Sequence, residues 1–117
     1  MEDITLEVAN RAINAAIRKS QKMNVKQNIA IVDVRERHEW TQGVIPRALL
    51  IPQGELWSRH SELPHDHKII TICAAGVRSA RAASLLSFLG HPSVATVDRA
   101  GMNEWTARGY PVVIRNA

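Results

Sequence analysis

The one cysteine in this 117-residue chain, Cys73, stands in surroundings that suit a reactive thiol. It follows the apolar run Ile69-Ile70-Thr71-Ile72 and opens the segment Cys73-Ala74-Ala75-Gly76-Val77-Arg78-Ser79. The run predicts a strand, and a helical pattern begins near Arg78, about five residues later. A tight loop between strand and helix can turn its amides inward and form a nest for an anion. The helix start adds the positive end of its dipole, worth ~1–2 kcal/mol in a partly buried site, which is about one pKa unit. Arg78 adds a full charge. A free cysteine titrates near pH ~8.5, and environments of this kind lower it to roughly 3.5–7.5. The spacing therefore predicts a thiolate nucleophile at Cys73, cradled by the amides of Ala74, Ala75, Gly76, Val77, Arg78 and Ser79. The competing reading is a buried apolar filler, a common role for free cysteines. The place after a strand and before a Gly–Arg helix start argues against it. One thiol excludes an intramolecular disulfide, a two-cysteine redox couple and a multi-cysteine zinc site within one chain. It fits a reducing, cytoplasmic setting.

Other candidates read more plainly. Asp33 ends an apolar run and is expected to accept hydrogen bonds from nearby backbone or from Arg35, as structural support. Trp105 is expected to pack as core under the helix that follows Cys73, and Trp40 and Trp57 as packing rather than pocket walls. His65-Asp66-His67 lies in a Pro-led turn with no third ligand near it, so no metal is expected. Arg11, Arg18, Lys19, Lys22 and Lys26 have no acidic residue among them. A solvated helix face explains them, with docking of an acidic partner or RNA as the alternative.

These residues need a frame. Thr5–Lys22 predicts an amphipathic helix with Thr5 as N-cap and Leu6, Ala9, Ile13, Ala16 and Ile17 as its apolar stripe. Strands are expected at Ile29–Val34, Leu49–Ile51, Ile69–Ile72 and Val94–Val97. Helices are expected at Glu36–Gln42, from Arg78 to Leu89 with Gly90 beyond it, and at Met102–Arg108, with a turn or two over Gly54–His60. Pro111-Val112-Val113-Ile114 follows the last helix. Short apolar strands alternating with helices argue for an α/β fold, with a mostly parallel central sheet of about five strands covered on both faces. Ligands bind beyond the carboxyl ends of such strands, which is where Cys73 falls. The length suits one domain over 1–117, with an N-terminal helical segment, residues 1–26, packed on it. Lys plus Arg exceed Asp plus Glu by 15 to 11, a net charge of +4. That suits a small anionic substrate and is too diffuse to argue for nucleic acid. No apolar run is long enough to span a membrane, and Met1-Glu2-Asp3 lacks the basic start of a signal peptide.

Four blocks together resemble the single-domain rhodaneses, a family of sulfurtransferases. Asp33-Val34-Arg35-Glu36 resembles the family's Asp-Val-Arg-Glu. Gly43-Val44-Ile45-Pro46-Arg47-Ala48, then Ile51-Pro52, resembles Gly-His-Ile-Pro-Gly-Ala with its following Ile-Pro. The segment Cys73–Ser79 resembles the active-site loop Cys-Arg-x-Gly-x-Arg-Ser, and Gly101-Met102-Asn103-Glu104-Trp105 the Gly-Gly-Met-x-x-Trp block. Val44, Arg47 and Ala74 depart from the pattern. Ala74 replaces the family's arginine that helps hold an anionic donor, which favours a less charged donor such as a persulfide. Arg47, from its place in the second block, could extend to the pocket mouth and replace that charge.

The resemblance implies transfer of sulfane sulfur from thiosulfate or a persulfide donor to cyanide or a thiol acceptor, through a Cys73 persulfide. It implies no cofactor and no metal, and a sulfur-carrier protein as a further partner. Four residues separate Cys73 from Arg78, one fewer than in the related phosphatases, and Ile72 replaces their histidine. The alternatives are a non-catalytic rhodanese-like binding module, which usually lacks the cysteine, and a sulfur-relay component.

Overall fold

The computed structural model describes residues 2–21 and 29–114, and in the first helix the side chains up to residue 14. In chain order it contains β1 (Glu2–Ile4), α1 (Leu6–Gln21), β2 (Ile29–Asp33), α2 (Arg37–Trp40), β3 (Leu49–Leu50), α3 (Leu56–Arg59), β4 (Lys68–Ile72), α4 (Val77–Phe88), β5 (Val94–Val97) and α5 (Met102–Ala107). Two 3-10 turns, Gln53–Glu55 and His60–Glu62, flank α3. The strands form one sheet in the order β1-β5-β4-β2-β3, and every pair in it is parallel. The expected α/β architecture is met.

The central strand β4 divides the interior. Ile70 and Ile72 enter a cluster with Leu6, Ala9 and Ile13 of α1 and Met102 and Trp105 of α5. Ile69 and Cys73 enter the other cluster, with Leu56 of α3 and Ala82, Ala83 and Leu86 of α4. Alternate side chains of a strand leave opposite faces, so one continuous apolar strand feeds both layers. Thr5 caps α1 by accepting the Val8 amide at 3.2 Å. Ala16, Ile17, Arg18, Lys19, Lys22 and Lys26 lie outside the described residues or side chains, and Arg11 is exposed.

Two expectations change. The fifth strand is β1, which pairs with β5 from Glu2↔Ala95 to Ile4↔Val97; three residues are too few to show a period in sequence. The other is the place of Trp105; beyond it, Val113 makes an isolated antiparallel bridge with Val44. Trp105 is fully buried, but in the cluster across the sheet from α4 rather than under it. Its indole N–H donates to the Pro111 carbonyl at 2.8 Å, and Tyr110 packs edge-on against it. Among the described residues no helix is long and apolar enough to cross a membrane.

Candidate active site

Cys73 directly follows β4, at the carboxyl edge of the sheet, and the loop 74–76 turns from there into α4. Gly76 makes the turn at φ 105°, a left-handed conformation that glycine adopts without penalty. The turn brings the Gly76 amide to the sulfur, donating to Sγ at 3.1 Å. On the other side Cys73 Sγ–H donates to Ser79 Oγ at 3.4 Å, and the Ser79 hydroxyl donates to the Gly76 carbonyl at 3.1 Å. Ser79 belongs to the first turn of α4 and is fully buried. Ala75 and Val77 form the exposed outer rim of the loop.

These contacts set the acidity of the thiol. Burial, with Cys73 only 1% exposed, pushes its pKa up. The Ser79 hydroxyl and the amides of Ser79, Gly76 and Ala75 together outweigh burial, so the thiol titrates below its ordinary value. Arg78 contributes differently from the expectation of a free charge beside the sulfur. Its guanidinium pairs with Glu39 of α2, Nη1 to Oε1 at 2.5 Å and Nη2 to Oε2 at 2.9 Å. That pairing holds the Glu39 carboxyl down at about 2 and is the main cause of the raised Arg78 value. The short-range donors around Sγ are the main influence that favours the thiolate, and the paired Arg78 adds a smaller electrostatic share.

The loop is also held from behind. The first amides of α5 have no partner within their own helix, and they take the loop's carbonyls. Met102 donates to the Cys73 carbonyl at 2.7 Å and Asn103 to the Ala74 carbonyl at 3.2 Å. With its carbonyls drawn toward α5, the loop's amides are left for the sulfur. Gly101 allows the approach: a Cβ there would lie 2.1 Å from the Cys73 carbonyl oxygen and 2.7 Å from Ala74 backbone atoms. The role of Gly101, Met102 and Asn103 is absent from the sequence reading beyond their place in a recurring block, because a backbone contact leaves no side-chain pattern.

Asp33 and Arg35 brace the neighbouring strand end. Asp33 stands opposite Ile72 in the sheet register. Its carboxylate accepts from the Arg35 amide at 3.1 Å and from Arg35 Nε and Nη2 at 3.0 and 2.8 Å. Arg35 Nη2 also donates to the Gly43 carbonyl at 2.8 Å and Nη1 to the Glu39 carbonyl at 3.3 Å. This buried fork ties β2 to α2 and to the loop before Gly43. A cavity of about 240 Å³ lined by Arg35, Gln42, Gly43, Met102, Asn103 and Thr106 borders the α5 end that grips Cys73.

The remaining candidates lie apart. Trp40 is buried, and Trp57 is 61% exposed on α3. His67 bonds Asp66 at 2.7 Å, while His65 turns away to stack on His91. Among the described residues no three His, Cys, Asp or Glu side chains converge as metal ligands.

Comparison with known proteins identifies the family. The model of the rhodanese-like domain family matches residues 17–108. A sulfurtransferase from Allochromatium vinosum is 34% identical over 94 residues, covering 80% of this chain and 87% of that protein. The crystal structure of a rhodanese-related protein from Thermoplasma volcanium superposes with a TM-score of 0.74 at 31% identity, covering 98% of this chain and 100% of that one. A rhodanese-like domain protein from Staphylococcus aureus gives 0.72 at 28%, covering 99% and 100%. The family-model match over most of the chain, with relatives alike in sequence and in fold, places the chain in the rhodanese-like family.

Proposed function

We propose that the protein is a sulfurtransferase that carries sulfane sulfur on Cys73. The observation that carries this reading is the set of donors converging on Sγ, with the Gly76 amide at 3.1 Å. They lower the thiol pKa, and the same donors serve the persulfide anion that follows. The Cys73 thiolate attacks the outer sulfur of the donor. A new S–S bond forms, and the donor's own S–S bond breaks. Its electron pair leaves with sulfite, if the donor is thiosulfate, or with a thiolate, if it is a persulfide. An acceptor, cyanide or a thiolate, then bonds the outer sulfur and returns the electron pair to Cys73. Splitting the transfer in two is covalent catalysis and needs only one cysteine. A sulfur this nearly covered favours donors that present a bare sulfur atom at the end of a slim group. Asp33 and Arg35 support the loop through the strand end and take no part in bond changes.

Intact mass measurement after treatment with thiosulfate or a low-molecular-weight persulfide tests the reading. The expected result is a gain of one sulfur atom on the wild type, removed by cyanide, and no gain on Cys73→Ser. An unmodified wild-type protein, or equal turnover by both proteins, overturns it. Efficient loading with slow release to cyanide would make the protein a relay component that hands sulfur to a carrier protein.

A further inference from the structure

The space that a Cβ on Gly76 would occupy is taken by backbone of the β5–α5 loop: Arg99 N at 3.1 Å, and Arg99 Cα and Ala100 N each at 3.2 Å. Arg99 is therefore rooted against the residue whose amide holds the Cys73 sulfur. Its own backbone is left-handed at φ 53°, a conformation that a glycine or asparagine meets at lower cost. The turn itself gives no reason for an arginine. The side chain is 93% exposed, and its ion pair is a loose 3.9 Å contact with adjacent Asp98, of little energetic weight at such exposure. Three other arginines at this edge of the sheet are committed: Arg35 to Asp33, Arg37 to Glu55 and Arg78 to Glu39. Position 74, inside the loop, is alanine.

We propose that Arg99 is a specificity-determining residue that binds the anionic end of the sulfur donor while its outer sulfur reaches Cys73. The cation reaches the site from the neighbouring loop, and its long, exposed side chain suits a charge set back from the reacting sulfur, such as the carboxylate of a small organic persulfide. This inference rests on the reading of Cys73 as the sulfur acceptor.

The test compares loading of Cys73 by glutathione persulfide, by the persulfide of 2-mercaptoethanol, which lacks a charged end, and by thiosulfate, followed by intact mass. In R99Q the ratio of kcat/KM for glutathione persulfide to that for the uncharged donor falls roughly three- to tenfold. The fall is in KM, R99K retains most of the ratio, and high salt erases the difference between wild type and variant. Thiosulfate following the same pattern would extend the contact to small inorganic anions; thiosulfate unaffected would confine it to organic donors. An unchanged ratio in R99Q, or equal losses with charged and uncharged donors, overturns the proposal and leaves the role of Cys73 standing. Failure of all three donors to load the wild type overturns both.

Discussion

Two opposed effects meet at the Cys73 sulfur. Burial disfavours the thiolate, while the Ser79 hydroxyl and three amides favour it. In the thiol form Ser79 accepts from sulfur and passes its own proton toward the Gly76 carbonyl; on ionisation that hydroxyl is free to rotate and donate to sulfur instead. Removing it should therefore raise the thiol pKa. For Ser79→Ala we expect the thiol pKa to move upward, because a hydrogen bond to the charged form is lost. The pH profile of iodoacetamide alkylation reports this directly, since only the thiolate reacts, and the midpoint should move upward; an unmoved midpoint contradicts the account. The linkage to stability has a definite sign. A thiol with a depressed folded pKa adds stability above its ordinary pKa, and that stability is lost as pH falls through the depressed value. Ser79→Ala should shrink this contribution.

Between elements, the site is a junction of α4, α5 and α2 on the end of β4. The α5 amides hold the loop from behind through the Cys73 and Ala74 carbonyls, and the Arg78–Glu39 pair joins the start of α4 to α2. Gly101 is the closest of these contacts. Its backbone is extended, so a side chain there is limited by space and not by conformation. Gly101→Ala would drive a methyl into the Cys73 carbonyl and force the loop and α5 apart, at a cost of about 1–3 kcal/mol. The expected outcome is a folded protein of lower melting temperature whose Cys73 loads sulfur much more slowly. Loading at the wild-type rate would show that the α5 grip does not shape the site.

Across the whole molecule, the sheet carries two apolar layers, and β4 supplies both. Ile70, 1% exposed, lies on the face that α1 and α5 cover, between Ile31 and Ala95 in the sheet register. Truncation there removes core volume where neither face can collapse freely. Ile70→Ala is expected to cost about 2–5 kcal/mol, a large part of the ~5–15 kcal/mol that holds a domain together. Thermal melting should show a fall of ten degrees or more. A loss of only a degree or two would mean that this layer packs loosely.

Composition, period and local motif were enough for the α/β alternation, for the strands from Ile29, Ile69 and Val94, for the Thr5 cap and for Cys73 at a strand end. Each is a property of residues adjacent along the chain, where side-chain spacing maps directly onto local geometry. Which partners those residues meet was settled only by the fold. The sequence showed Arg78 beside the cysteine, but Glu39 lies 39 residues away and takes the guanidinium. Trp105 read correctly as core, yet the side of the sheet it occupies depends on how β5 connects to α5. The strand β1 exists because β5 offers it an edge to pair with, not because Glu2–Ile4 has any pattern of its own. The grip of α5 on the loop and the closeness of Arg99 to Gly76 are contacts between backbones; the glycines at 76 and 101 leave room for them, but a glycine in a sequence does not say which backbone fills that room, and only the fold decides it.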